Sequence, residues 1–332
     1  MAFGAYLVTR DGDTIGRAVT ELEDDDLPPG EVVVDVDWSA VNYKDAMVTV
    51  PGNRVARTSP LVPGVDLAGM VAASDDPAIA VGSPVLVHGY DLGVARHGGF
   101  AGRARVPAGW VVPLPRGLDA RRAMVIGTAG FTAVLSLHRL EAVGLGPGDG
   151  PVLVTGASGG VGSMAVALLA HHGYEVVASS GKAHEHEYLR RLGAREIVGR
   201  DELGGAEGRV LGPERWAAAV DCVGGPTLAA VLRSLRYDGA VAASGLTGGS
   251  AVETTVYPFI VRATSLLGVD SVNTPLSERR ALWSTMADEF GDDVLEDMVA
   301  AEVGLEGLGA VLDDVLAAKV RGRVLVRPGG RP

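Results

Sequence analysis

The sequence predicts an α/β protein in two parts, a β-rich, barrel-like part and a doubly wound parallel sheet. Three observations carry that expectation. Residues 151–179 read as one strand–helix–strand unit with its glycines at the strand-to-helix turn. Beyond residue 182 short apolar strands and helical stretches keep alternating, the pattern of a parallel sheet with crossover helices. Residues 1–106, by contrast, are short β-prone runs punctuated by Gly, Pro and Asp-Gly. At 332 residues the chain is too long for one small core, so two domains are the natural division.

Taken in order, residues 1–37 read as strands joined by turns. Residues 5–9 are apolar, Asp11-Gly12 is a hairpin turn, and Val32, Val34 and Val36 alternate as one face of a strand. The acidic run 23–26, followed by Pro28-Pro29-Gly30, is a solvated loop. The segment WSAVNYKD (38–45) turns briefly helical near 45–48, and PLVPGVDLAG (60–69) leads into another strand. Strands follow at 83–88 and 99–106. A helix is expected at 124–140, then a glycine-rich connector at 144–150, with the domain boundary near 125. After the first strand–helix–strand unit come a helix at 185–192 closed by Gly193, strands at 196–198 and 217–220, a helix at 227–235, and strands at 239–244 and 265–269. Helices are expected at 277–290 and 308–318, and a last strand at 323–327 returns to the first part. The β-rich domain therefore takes 1–125 and 267–332, and the parallel-sheet domain 126–266.

The stretch PVLVTGASGGVGSMAVALLAHHGYEVVASSGK (151–182) carries the chemistry. Residues 151–155 suit a buried parallel strand. Small residues at Ala157 and Gly159 let the turn tighten and let backbone approach a phosphate, while Gly162 lets the helix pack close to the strand. A helix N-terminus offers free N–H groups and a partial positive charge to an anion. The arrangement reads as a dinucleotide site; an ordinary tight turn does not need so many glycines. An NAD-type fold places Asp or Glu at the end of its second strand, about 20 residues beyond the glycines, for the ribose 2′-hydroxyl. Here that strand ends in Ser179-Ser180-Gly181-Lys182, with no carboxylate at its tip. Hydroxyls beside a lysine, with Arg200 as a second cation, suit a 2′-phosphate and hence NADPH. The other reading of Lys182 is a solvated surface lysine.

Composition excludes several classes. A formal charge of −12 argues against nucleic acid and anionic membrane as partners. The single cysteine, Cys222, permits no intrachain disulfide and neither a cysteine-rich nor a two-cysteine catalytic zinc site, so no metal is expected. No basic segment followed by an apolar core opens the chain, and no run approaches about 18 apolar residues, so a soluble cytoplasmic protein is the simplest expectation. Cys222 reads as a small buried thiol, His171-His172 as a pair complementing a helix dipole, and Asp45 and Asp66 as buried loop-fixing carboxylates.

The segments VDWSAVNYKDA, PGVDLAG, AMVIGTAGFTA, VTGASGGVGS, VVASSGK, YLRRLGA, AVDCVGG, LLGVDSV and GRVLV run in order along nearly the whole chain. In them the chain resembles the medium-chain dehydrogenase/reductase superfamily, specifically its zinc-free quinone-oxidoreductase branch and the YhdH/AcuI type of NADPH-dependent acrylyl-CoA reductases. The resemblance implies a GroES-like domain rejoined by the C-terminus and an inserted Rossmann domain. It implies that Tyr43 lies near the nicotinamide, and that Ser158, Gly159, Gly160 and Val161 hold the pyrophosphate. Ser180, Gly181, Lys182 and Arg200 would line the 2′-phosphate, and Leu246, Ile260 and Ser271 the rest of the cofactor. Members of the group carry arginine where this chain has Lys182, which keeps the charge but loses the planar fork. Tyr43 is either the acid that protonates the enolate or a wall of the nicotinamide pocket.

The implied reaction is NADPH-dependent reduction of the activated double bond of a short 2-enoyl-CoA, acryloyl-CoA to propanoyl-CoA. NADPH:quinone oxidoreduction and a non-catalytic NADPH-binding role are the alternatives. No motif reads coenzyme A, for which Arg54, Arg57, Arg96 and Arg321 are the candidate phosphate partners. A homodimer is left open.

Overall fold

The structure, a computed structural model, describes residues 1–203 and 209–329. By its contacts the chain divides into two compact units. The first is Met1–Thr128 with Val272–Asp288 and Met298–Pro332; the second is Ala129–Ser271 with Glu289–Asp297.

In the first unit the alternating valines of Val32–Ala40 place that strand at the centre of a sheet. Among the described residues its order is Val299–Val303, Arg323–Val326, Val32–Ala40, Asp66–Ser74, Pro84–His88 and Val112–Pro113, with Arg103–Val106 also paired to Val32–Ala40. Val32, Val34 and Val36 point into an apolar cluster with Leu67, Val71, Val85, Val87 and Val106. The expected hairpin forms as Phe3–Asp11 against Thr14–Leu22 in antiparallel register. The last strand, Arg323–Val326, pairs with Ser39 and Ala40 of the central strand.

In the second unit six parallel strands run in the order Glu196–Val198, Val176–Ser179, Val152–Thr155, Trp216–Asp221, Leu235–Ala243 and Ser265–Gly268. All four residues of Val152–Thr155 and of Val176–Ser179 are buried, as strands covered on both faces must be. Strand order reverses between Val152–Thr155 and Trp216–Asp221. Such a reversal opens a crevice at the strands' carboxyl ends, where open α/β sheets bind ligands.

Several elements depart from the sequence expectation, among them the unexpected short helices Arg200–Leu203 and Tyr257–Arg262. The helix expected at 124–140 is longer, Ala120–Glu141, and breaks at Gly127, whose φ of 50° and ψ of −157° are not helical. As expected, no apolar run in this helix approaches 18 residues, yet by length and mean composition alone it could cross a membrane; its scattered Ser, Thr and His do not lower the average enough. In the fold 83% of its most apolar window is buried, so here it is a core helix. The helix Asp292–Met298 and the strand Val299–Val303 were not expected. That strand carries three exposed residues in a row and so lacks the alternation by which strands are recognised.

Candidate cofactor site and active-site residues

The strand–helix–strand unit forms as Val152–Thr155, Gly160–His171 and Val176–Ser179. The residue that turns the chain is Gly156, with φ of +59°, rather than Gly159, whose φ of −81° any residue could adopt. Gly162 has the packing role expected of it. A Cβ there would run into the Gly156 carbonyl oxygen and come within 2.7 Å of Ala157 Cα. Gly159 is the N-cap and supplies no side-chain cap, and the first intrahelical bond runs from Ser163 N–H to Gly159 O at 2.9 Å. The N–H groups of Gly160, Val161 and Gly162 therefore precede the helical ladder. Ser158 is buried, while Gly159, Gly160 and Val161 are partly open to solvent. A glycine-lined, uncapped helix start of this kind fits a dinucleotide pyrophosphate.

Most of the other expected contact residues gather where this sheet ends. Ser180, Gly181 and Lys182 directly follow Val176–Ser179, Arg200 follows Glu196–Val198, Leu246 follows Leu235–Ala243, and Ser271 follows Ser265–Gly268. Ser180 is buried, and its Oγ accepts the Lys182 N–H at 3.2 Å. The Arg200 side chain lies across Gly181, where an added Cβ would come within 3.2 Å of Arg200 Nε. Lys182 is half-buried; burial lowers its pKa, and the nearby Arg200 cation pushes in the same direction. Ile260 is placed differently. It is 72% exposed on Tyr257–Arg262, a helix whose Arg262 bonds Arg233 O and Leu235 O at the amino end of the neighbouring strand.

Two features of this unit escaped the sequence. Glu185, three residues past Lys182, is only 7% exposed and acts on the Lys182 charge. The second is an interlock of glycine loops. Gly245 packs on the Cys222 carbonyl, and a Cβ on Gly224 would lie 2.7 Å from Gly249 O. The doublets in DCVGG and SGLTGGS were its only trace in the sequence. Asp221 anchors the first of these loops, accepting from Thr155 Oγ1 and Gly224 N–H, both at 2.7 Å. Cys222 is partly buried, and burial, then the Asp221 charge, push its thiol up to about 12, so it is no nucleophile.

In the first unit Tyr43 opens the helix Tyr43–Met47 and is 36% exposed. The helix starts two residues earlier than expected because Asp45 reaches back to the Asn42 N–H at 2.8 Å. The other Asp45 oxygen accepts Gly64 N–H at 3.1 Å and Val65 N–H at 2.9 Å. Asp45 thus ties two loops together, and Asp66 ties more. Asp66 accepts from Asn42 Nδ2 at 2.8 Å, from Thr128 N–H at 3.1 Å and from the Thr128 hydroxyl, and Arg323 Nη2 stands 3.4 Å away. Asp66 is fully buried and Arg323 is 2% exposed. A Cβ on Gly127 would come 2.5 Å from Asp66 Oδ2, so the helix break makes room for this pair. The Thr128 hydroxyl also lies 3.3 Å from Nδ1 of His88. His88 is itself fully buried and accepts from Trp283 Nε1 at 2.9 Å. Burial, then Arg279, hold the imidazole well below its usual pKa, so it is neutral and free to accept. His88, Arg279 and Trp283 form a buried polar cluster that the sequence did not signal. Among the described residues no three His, Cys, Asp or Glu side chains gather as a metal site would require.

The comparisons with known proteins agree with this anatomy. Residues 28–116 match the alcohol dehydrogenase GroES-like domain, and residues 160–290 match the zinc-binding dehydrogenase family. The chain is 48% identical over 328 residues to the acrylyl-CoA reductase AcuI of Ruegeria pomeroyi, covering 98% of each. It is 45% identical over 325 residues, again 98% of each, to YhfP of Bacillus subtilis, which carries a quinone-oxidoreductase name and has been crystallised with NAD bound. The crystal structure of the Salmonella enterica yhdH oxidoreductase in complex with NADP superposes with a TM-score of 0.94 at 46% identity, covering 99% of this chain and 100% of that one.

Proposed function

The chain belongs to the medium-chain dehydrogenase/reductase family, in its zinc-free branch of quinone oxidoreductases and acrylyl-CoA reductases, and on that premise we propose that it reduces the activated double bond of a short 2-enoyl-CoA with NADPH. The observation that carries the cofactor reading is the pairing of an uncapped, glycine-lined helix start with a carboxylate-free strand tip faced by Lys182 and Arg200. The substrate reading rests on the likeness to AcuI, which spans nearly both chains.

NADPH, when bound, supplies the hydride for the β-carbon. The chain's own residues bind and orient. Gly160, Val161 and Gly162 would present N–H groups to the pyrophosphate, and Ser180, Lys182 and Arg200 would hold the 2′-phosphate. Tyr43 has two candidate roles, donor of the α-carbon proton and wall of the nicotinamide pocket. Both need a hydroxyl held in place, and the bond between Asp45 and the Asn42 N–H fixes the turn that bears it. The setting is the cytoplasm, where NADPH is regenerated.

The second reading, quinone reduction, draws on the likeness to YhfP. Steady-state comparison of acryloyl-CoA, crotonyl-CoA and a simple quinone separates the two. We expect kcat/KM to fall from acryloyl-CoA to crotonyl-CoA, since a small pocket crowds the extra methyl. Faster turnover of the quinone than of any enoyl-CoA would establish the second reading, and no NADPH consumption with any of them would leave a binding protein.

We also propose that the protein is a homodimer joined through Ser265–Gly268. That strand ends the sheet order, and Leu266 on it, with Ile260 and Val261 just before it, is 44%, 72% and 51% exposed respectively. An unpaired strand edge beside apolar side chains is a template for a second copy.

A further inference from the structure

The tip of Val176–Ser179 carries no carboxylate in sequence, yet the fold supplies one a single turn away. Lys182 is the N-cap of the 3₁₀ turn Ala183–Glu185, and Glu185 N–H bonds Lys182 O at 3.0 Å. The turn closed by that bond brings the backbone of Glu185 back to Lys182, within reach of its side-chain charge. Glu185 is 7% exposed, and the exposed His184 stands beside it, Nε2 3.5 Å from Oε1. The Lys182 charge responds to Glu185 in the sense of an ion pair, opposing burial and Arg200.

We propose that Glu185 is the resident counter-ion of Lys182 and thereby sets cofactor selectivity: it competes with the 2′-phosphate for the lysine and repels it. This deepens the NADPH reading above and rests on it. Selectivity for NADPH over NADH is then the difference between two opposed terms. Ser180, Lys182 and Arg200 favour the phosphate, and Glu185 opposes it. NADH, which carries a hydroxyl in that place, meets no such competition and pays no such repulsion.

The test is fluorescence titration of the full-length protein with NADPH and with NADH, at low and high salt, for the wild type, Glu185→Gln, Glu185→Ala and Lys182→Ala. Both Glu185 variants should bind NADPH roughly three- to tenfold more tightly and NADH within about twofold of wild type. The gain should shrink in high salt, because partly exposed charges are screened over about 10 Å at 0.1 M. A wild type that prefers NADPH, with Glu185 variants that do not improve on it, overturns the proposal alone. Variants that lose NADPH and NADH alike make Glu185 a fold element and also overturn it. A wild type without preference for NADPH, unchanged by Lys182→Ala, overturns the cofactor reading and this proposal with it.

Discussion

Lys182 shows how far a single residue can be read. Its position past the second strand, the missing carboxylate and Arg200 as a second cation were visible in the sequence; Glu185 was not. The charge of Glu185 comes from a 3₁₀ turn whose geometry no local pattern encodes. Charge-assisted hydrogen bonds are worth about 1.5–3 kcal/mol, and a half-exposed lysine delivers the lower part of that range. Lys182→Ala should therefore weaken NADPH about tenfold in a binding titration and leave NADH nearly unchanged. Equal losses for both would make Lys182 a support of the fold. Gly162 was legible for a different reason: glycine has one advantage over every other residue, its missing Cβ, and close approach of helix to turn demands it. Gly156, which bends the chain, went unremarked because strand-end glycines are common.

At the scale of elements, the short helix Tyr43–Met47 and the loop before Asp66–Ser74 are held by one carboxyl group. Asp45 is buried, and burial outweighs its three N–H donors, raising its pKa from the ordinary 3.8 to about 7. The folded chain thus holds this proton more tightly than the unfolded chain does. Its contribution to stability is complete below the unfolded value of 3.8 and is lost as pH rises through about 7. The melting temperature of the wild type relative to Asp45→Asn should accordingly fall between about pH 4 and pH 7. A difference that stays flat across that range would show that Asp45 does not titrate there. The strand–helix–strand units were readable because each carries its own signal, an apolar run or a helical period. Val299–Val303 carries neither, since its place is given by pairing with Arg323–Val326. The His88, Arg279 and Trp283 cluster was equally hidden. Its members are far apart in sequence, and a buried histidine reads the same in a string as an exposed one.

Across the whole molecule, composition and alternation sufficed for the two kinds of architecture, while the detours of the chain did not announce themselves. The segment Glu289–Asp297 belongs with the parallel-sheet unit although it lies between two segments of the other. Its helix is acidic and short, and nothing in its pattern says which sheet it serves. The exposed edge at Ser265–Gly268 is likewise a property of the assembled sheet. Leu266→Asp puts a charge into that edge and should convert a dimer to a monomer in sedimentation velocity, with NADPH binding retained. A wild type that already sediments as a monomer would dismiss the interface. Arg323, the cation facing Asp66, is made long after it, and this bears on the order in which the protein comes into being. The parallel sheet has all its strands once residue 268 is made, whereas the central strand Val32–Ala40 waits for residues 323–326. At translation speeds of about 5–20 residues per second that wait lasts roughly 15–60 seconds, with a buried aspartate lacking its cation and an open edge beside it. A chain released at residue 300 should yield a protease-resistant fragment covering 129–271 while residues 1–128 are digested, because one sheet is then complete and the other still lacks a strand.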